Sequence, residues 1–129
     1  IIDELLDLMK KKSLDYTNTF WDLYNDSKES EFNNDLECIE WKKKWKKSIN
    51  MFSNMKEMKI LMRKNNPVFI PRNNLVKEAI EKATHGNLNL FNDLLKVISK
   101  PYQYSNKYNK FMKPPDSKFE NDFKTYCGT

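Results

Sequence analysis

Residues 66–101 read NPVFIPRNNLVKEAIEKATHGNLNLFNDLLKVISKP, and this stretch decides the fold class. Pro67 disfavours helical geometry at Asn66, so a helix arriving from upstream stops there. Val68, Phe69 and Ile70 form a short apolar segment, and Pro71 and Arg72 follow it. Asn73 or Asn74 can cap a new helix whose apolar face is Leu75, Val76, Ala79, Ile80 and Ala83. Gly86 closes that helix, Asn87 caps another, and Leu88, Phe91, Leu94, Leu95 and Ile98 give it a face. Pro101 stops it. Two helices around a glycine turn, at 74–99, make an antiparallel hairpin, and the fold class is all-α.

Upstream of the hairpin the same period recurs. Leu36, Ile39, Trp41, Trp45, Ile49, Phe52, Met55, Met58, Leu61 and Met62 predict a long helix from Asp35, broken near residues 48–54. Lys42, Lys43, Lys44, Lys46 and Lys47 are expected to face solvent. Two tryptophans one turn apart among lysines suggest stacking of single-stranded bases, but a stripe continuing over several turns is what a core-facing helix requires. Trp41 and Trp45 are therefore expected to be buried with Ile49 and Phe52 against the hairpin helices. Nearer the start, Ser13 or Asp15 caps a helix carrying Tyr16, Phe20, Leu23 and Tyr24, and residues 25–34 read as a surface loop anchored by Phe32. Ile2, Leu5, Leu6 and Met9 form a face on the first helix, with acids early and Lys10, Lys11 and Lys12 late, as the macrodipole favours. That helix is already under way at Ile1, which is the expectation for a piece of a longer protein.

After Pro101 the aromatics lose their period: Tyr102, Tyr104, Tyr108, Phe111, Phe119, Phe123 and Tyr126 are scattered among Asn, Lys and Pro. The expected organisation is a helical region over 1–100, of about five helices, and an extended, irregular aromatic-rich tail over 101–129.

The 129 residues carry 23 Lys and Arg against 18 Asp and Glu, a net charge of +5, with 39% hydrophobic residues. That balance suits a packed domain in water and offers no run of about 18 apolar residues that could span a bilayer. No secretory leader is recognisable, and a cytoplasmic location is expected. Arg63 and Arg72 are the only arginines, which disfavours nucleic-acid readout, since base edges and phosphates are gripped best by the planar guanidinium. With only two glycines, Gly86 and Gly128, the chain has no Walker loop, no dinucleotide fingerprint and no kinase glycine loop. His85 is the single histidine and precedes a helix-ending glycine, where an imidazole meets the helix carboxyl end. Glu78 and Glu81 lie near Lys77 and Lys82 as solvated charge. No catalytic, cofactor-binding or metal-binding residue is assigned.

The block Asn66-Pro67-Val68-Phe69-Ile70-Pro71-Arg72-Asn73, with the hairpin behind it and Pro101-Tyr102 at its end, resembles a block near the carboxyl end of the selenoprotein O family. Leu14-Asp15-Tyr16-Thr17, Thr19-Phe20, the Trp41 and Trp45 helix, and Tyr126-Cys127-Gly128-Thr129 are also similar to that family. The resemblance implies a protein kinase-like parent that transfers AMP from ATP, with Mg or Mn, to hydroxyl side chains of protein substrates. It places this chain in the helical carboxyl-terminal part, partnered with an upstream kinase-like region that holds the catalytic groups. It also implies that Cys127, at the position of the family's terminal selenocysteine or cysteine, takes part in redox control. Asn66, Pro67, Ile70, Pro71, Arg72 and Asn73 are expected to be structural: the asparagines cap, the prolines set the turn, and Arg72 bonds backbone carbonyls. The competing reading is a free-standing helical module that binds a protein partner or nucleic acid.

Overall fold

A computed structural model describes residues 1–122. Cys127 lies outside the described residues, as do Phe123 and Tyr126. The described chain is all-helical, with no strand among those residues, and divides into two compact units, one from Ile1 to Val68 and one that begins at Phe69. The division falls inside the Asn66 to Asn73 block.

The first unit holds α1 (Ile2–Lys11), α2 (Tyr16–Asn25), the single turn α3 (Glu31–Asn34), α4 (Leu36–Phe52) and α5 (Met55–Asn65). Four of these starts are capped in the same way. The Oδ1 of Asp15 accepts the Asn18 N–H at 2.9 Å, and the Ser30 Oγ accepts that of Asn33 at 3.2 Å. Asp35 Oδ1 accepts the Cys38 N–H at 3.1 Å, and Asn54 Oδ1 accepts that of Glu57 at 2.9 Å. Each satisfies an amide that the helix geometry leaves without a partner. The expected break in the long helix is the extended residue Ser53, after which Asn54 starts α5.

Leu5 and Met9 of α1, Leu23 of α2, Phe32 of α3, Cys38 and Trp41 of α4, and Met62 of α5 make the core of this unit, and Trp45 packs at its margin. Trp41 stacks on Trp45 with ring centroids 6.0 Å apart and donates its Nε1–H to the Ile1 carbonyl at 2.8 Å. Two expectations are corrected here. The partners of Trp41 come from its own unit, and Phe52, on the same geometric stripe, is 88% exposed. Helical spacing fixes the direction of a side chain and not what lies opposite it: Phe52 is the last residue of α4, followed at once by the extended Ser53. The loop expected at residues 25–34 contains α3, whose Phe32 is buried.

The second unit is built on the hairpin of α6 (Asn73–Thr84) and α7 (Asn89–Ile98). Gly86, at φ +85°, forms the turn: its N–H reaches the Ala83 carbonyl and the Asn87 N–H reaches that of Lys82, both at 2.9 Å. This paired closure of the last carbonyls is the Schellman arrangement that the glycine foretold. Asn87 Oδ1 then accepts the Asn89 N–H at 3.1 Å. Capping of α6 differs from expectation, because Arg72, whose side chain does not cap, occupies the cap position and Asn73 is already helical.

Beyond Pro101 the described chain is not extended throughout. A 3-10 helix covers Asn106–Met112 and α8 covers Ser117–Asp122. Phe111, on the 3-10 helix, is fully buried, and Tyr108 lies one turn back with its ring centroid 5.9 Å away.

Candidate functional site

Two places in the chain gather enough polar or unusual backbone geometry to be candidate sites. The first is the Asn66 to Asn73 block. The backbone N–H and the side-chain Nδ2 of Asn66 both donate to the Met62 carbonyl at 2.9 Å, closing α5. Pro67 then prevents the helix from continuing. Phe69 is buried and donates its N–H to the Pro101 carbonyl at 3.2 Å, tying the block to the chain just after α7. A tight three-residue turn follows, with the Arg72 N–H on the Ile70 carbonyl at 2.9 Å and Pro71 at its apex. The Arg72 carbonyl accepts the first intrahelical bond of α6, from Val76 at 3.0 Å, while its side chain is enclosed at 5% exposure. Asn66 therefore does the capping assigned to it and Asn73 does not. The block is a junction, and its arginine is not displayed to solvent.

The second place is a cleft of about 320 Å³ between α4 and the chain linking α2 to α3, lined by Asp26, Lys28, Asn33, Lys42, Lys43 and Lys46 among others. Lys42, expected at the surface, is 7% exposed. Its Nζ lies 2.7 Å from Asn33 Oδ1, 2.7 Å from Asp26 Oδ1 and 3.2 Å from the Asp22 carbonyl. Asp26 sits at φ 49°, in left-handed geometry just past α2, and its other oxygen takes Lys59 at 2.9 Å while Lys46 approaches to 3.6 Å. Asn33 Nδ2 donates to the Asp22 and Ser27 carbonyls at 3.3 and 2.9 Å. Ser30 donates to the carboxylate of Asp22.

This cleft is chemically quiet. An ammonium has three donors, and the three acceptors around Lys42 use them all. Burial works against ionised Asp26, but hydrogen bonds from Lys42 and Lys59 and the charge of Lys46 outweigh it and hold the carboxyl well below its usual range. A carboxylate so stabilised is a poor general base. Asp22 is pushed upward by burial, against the Ser30 hydrogen bond. The spacing contained a signal that Lys42 belongs inside: it stands four residues after Cys38, three before Trp45 and seven before Ile49, on the same helix face.

The remaining reactive side chains are accounted for locally. The Cys38 thiol is fully buried and pushed up to about 11, by burial first and then by the Asp35 charge, so it stays protonated. His85 Nδ1 is 2.8 Å from the Glu81 carbonyl at the end of α6, and Lys82 pairs with Glu78 at 2.6 Å on an exposed face. Among the described residues no group of three His, Cys, Asp or Glu could hold a metal ion, and no helix is long and apolar enough to cross a membrane.

Among the described residues the polar clusters serve as struts between helices, and sequence comparison identifies the family. The chain belongs to the protein adenylyltransferase SelO family, whose model matches residues 1–99. It is 41% identical across its whole length to the protein nucleotidyltransferase YdiU of Pelagibacter ubique, and 37% and 36% identical to proteins of that name from Clostridium perfringens and Bacillus cereus. It covers 27%, 26% and 27% of these relatives, so the chain spans about a quarter of their length. No solved structure gives a significant match.

Proposed function

We propose that the chain is the helical, non-catalytic carboxyl-terminal region of a protein adenylyltransferase with a kinase-like upstream region. The parent joins AMP to Ser, Thr or Tyr hydroxyls of protein substrates in the cytoplasm. In that reaction a hydroxyl oxygen attacks the α-phosphorus of ATP and gives up its proton to solvent, while the bond from that phosphorus to the oxygen bridging to the β-phosphate breaks and pyrophosphate leaves with the electron pair. The observation that carries the reading is the 41% identity over the whole chain to a nucleotidyltransferase of which it is 27%. Two glycines in 129 residues support the division of labour, because a phosphate-cradling loop needs more backbone freedom than that. ATP and the Mg or Mn ion are assigned to the rest of the parent: the described residues do not fit a divalent ion, which wants several hard oxygen ligands in one place. Cys127 is the residue we assign to redox control of that parent.

The reading as a free-standing nucleic-acid module is weaker, since Trp41 is buried and Lys42 is committed to Asp26 and Asn33. A stacking platform has to present open ring faces beside available cations. The test is transfer of label from α-phosphate-labelled ATP. The full-length parent should label protein and the isolated chain should not. Micromolar ATP binding by the chain alone, seen by calorimetry, would overturn the assignment.

A further inference from the structure

Only part of the apolar arc of α7 is buried. Leu94 and Val97 are buried and face one side. Leu88, Phe91 and Leu95, spaced i, i+3 and i+7, continue the arc around the helix and are 52%, 43% and 52% exposed. Ile98 extends the row and is half-buried. Three large side chains in one row, at the spacing by which a helix seats in an apolar groove, form a patch that a finished protein surface seldom leaves open. Lys42 has its three donors in use and Cys38 is sealed, whereas this row puts several exposed apolar side chains of the described chain along one face of one helix.

From these observations we infer that the Leu88, Phe91 and Leu95 face of α7 is the surface on which the remainder of the parent polypeptide docks. The inference rests on the family reading above. The occupant follows from chain length: about three quarters of the relatives' residues lie outside this chain, joined to it covalently and hence at high effective concentration. The contact is apolar, because the row offers methyl groups and one ring and no charge. A charged partner segment would have to lose water there without compensation.

Hydroxyl-radical footprinting with peptide mass analysis tests this on two proteins, the chain as given and the full-length parent. Phe91 and Leu95 should be oxidised readily in the chain alone and about fivefold less in the parent, as expected where a contact excludes water. Leu94 and Val97 should stay protected in both, which verifies that the hairpin is intact. Equal oxidation of Phe91 in the two proteins would overturn the inference. So would protection in the chain alone that disappears on dilution, because the occupant would then be a second copy. The double variant Phe91→Asp with Leu95→Asp supplies an independent reading. It should leave the melting temperature of the chain unchanged and lower that of the parent, and an unchanged parent would count against docking. None of these readouts involves AMP transfer, so failure of the proposed activity would be seen separately.

Discussion

Lys42 Nζ and Asp26 Oδ1 lie 2.7 Å apart, with the lysine enclosed and the aspartate partly open to water. The pair joins the middle of α4 to the residue that ends α2, and Asn33 of α3 completes it. Each ion pair at the surface is worth little, but removing the buried member leaves several acceptors without donors. Lys42→Met, which keeps the aliphatic stem, should destabilise the first unit by about 1–3 kcal/mol. Lys43→Met and Lys47→Met, at exposed positions of the same helix, should change stability by no more than about 0.5 kcal/mol. Urea denaturation followed by tryptophan fluorescence measures both, and equal effects would refute the strut role.

The two stacked tryptophans should separate clearly by mutation. Trp41 is buried and bonded to the Ile1 carbonyl, whereas Trp45 is half-buried. Trp41→Ala should cost about 3–5 kcal/mol, and Trp45→Ala about half of that, because only the first empties a closed site. A larger loss at Trp45 would mean that the core is centred elsewhere.

Acid should loosen the α1 to α4 connection in a defined window. Asp35 accepts the Cys38 amide on one oxygen and Lys12 at 2.7 Å on the other. The hydrogen bond from Lys12, then that from Cys38, holds its carboxyl at about 2, below its ordinary 3.8. A depressed carboxylate contributes its stability above the unfolded value and loses it as the pH falls toward the folded one. The melting temperature should therefore drop between pH of about 4 and 2, and Asp35→Asn, which retains a capping oxygen, should flatten part of that slope. The slope will not vanish, because Asp26 is also depressed. An unchanged slope in the variant would exclude Asp35 as a contributor.

Gly86 offers a test of backbone geometry alone. A Cβ at this position meets nothing within 4 Å, so the penalty for Gly86→Ala comes from the φ of +85°. The cost should be about 1–2 kcal/mol, and Gly86→Asn should cost less, since asparagine tolerates left-handed geometry. Chemical denaturation of the two variants, followed by circular dichroism, would show the order, and a neutral alanine would mean that the turn relaxes.

Cys38 should resist alkylation in the native chain. Its thiol is buried and pushed up to about 11, so the thiolate that reacts is scarce at neutral pH. Timed labelling with iodoacetamide should modify it only at the rate of unfolding, and fast labelling would place it at the surface.

Much of the helical order was legible because punctuation and periodicity agree locally. Pro67, Gly86 and Pro101 bound the hairpin, and Asp15, Asp35 and Asn54 stand where a helix needs an acceptor. Each acts through a few neighbouring residues, so no tertiary information is required. The family was legible as a resemblance, read from the Asn66 to Asn73 block and supported by the family match over residues 1–99.

What the sequence determined by itself is the longer helices, the break between α4 and α5, and the apolar face on which Trp41 lies, because these depend on spacing and on backbone geometry near each residue. The tertiary structure decided the rest. Lys42 reads as a surface charge until Asp26 and Asn33, distant in sequence, are brought within 2.7 Å of it. Phe52 reads as core by its spacing, yet at the last position of α4 it is 88% exposed. Phe111 shows no helical period because its segment coils at three residues per turn, and only packing reveals that it is buried. Burial is a property of what surrounds a side chain, and partners remote in the chain are fixed by the way the helices assemble.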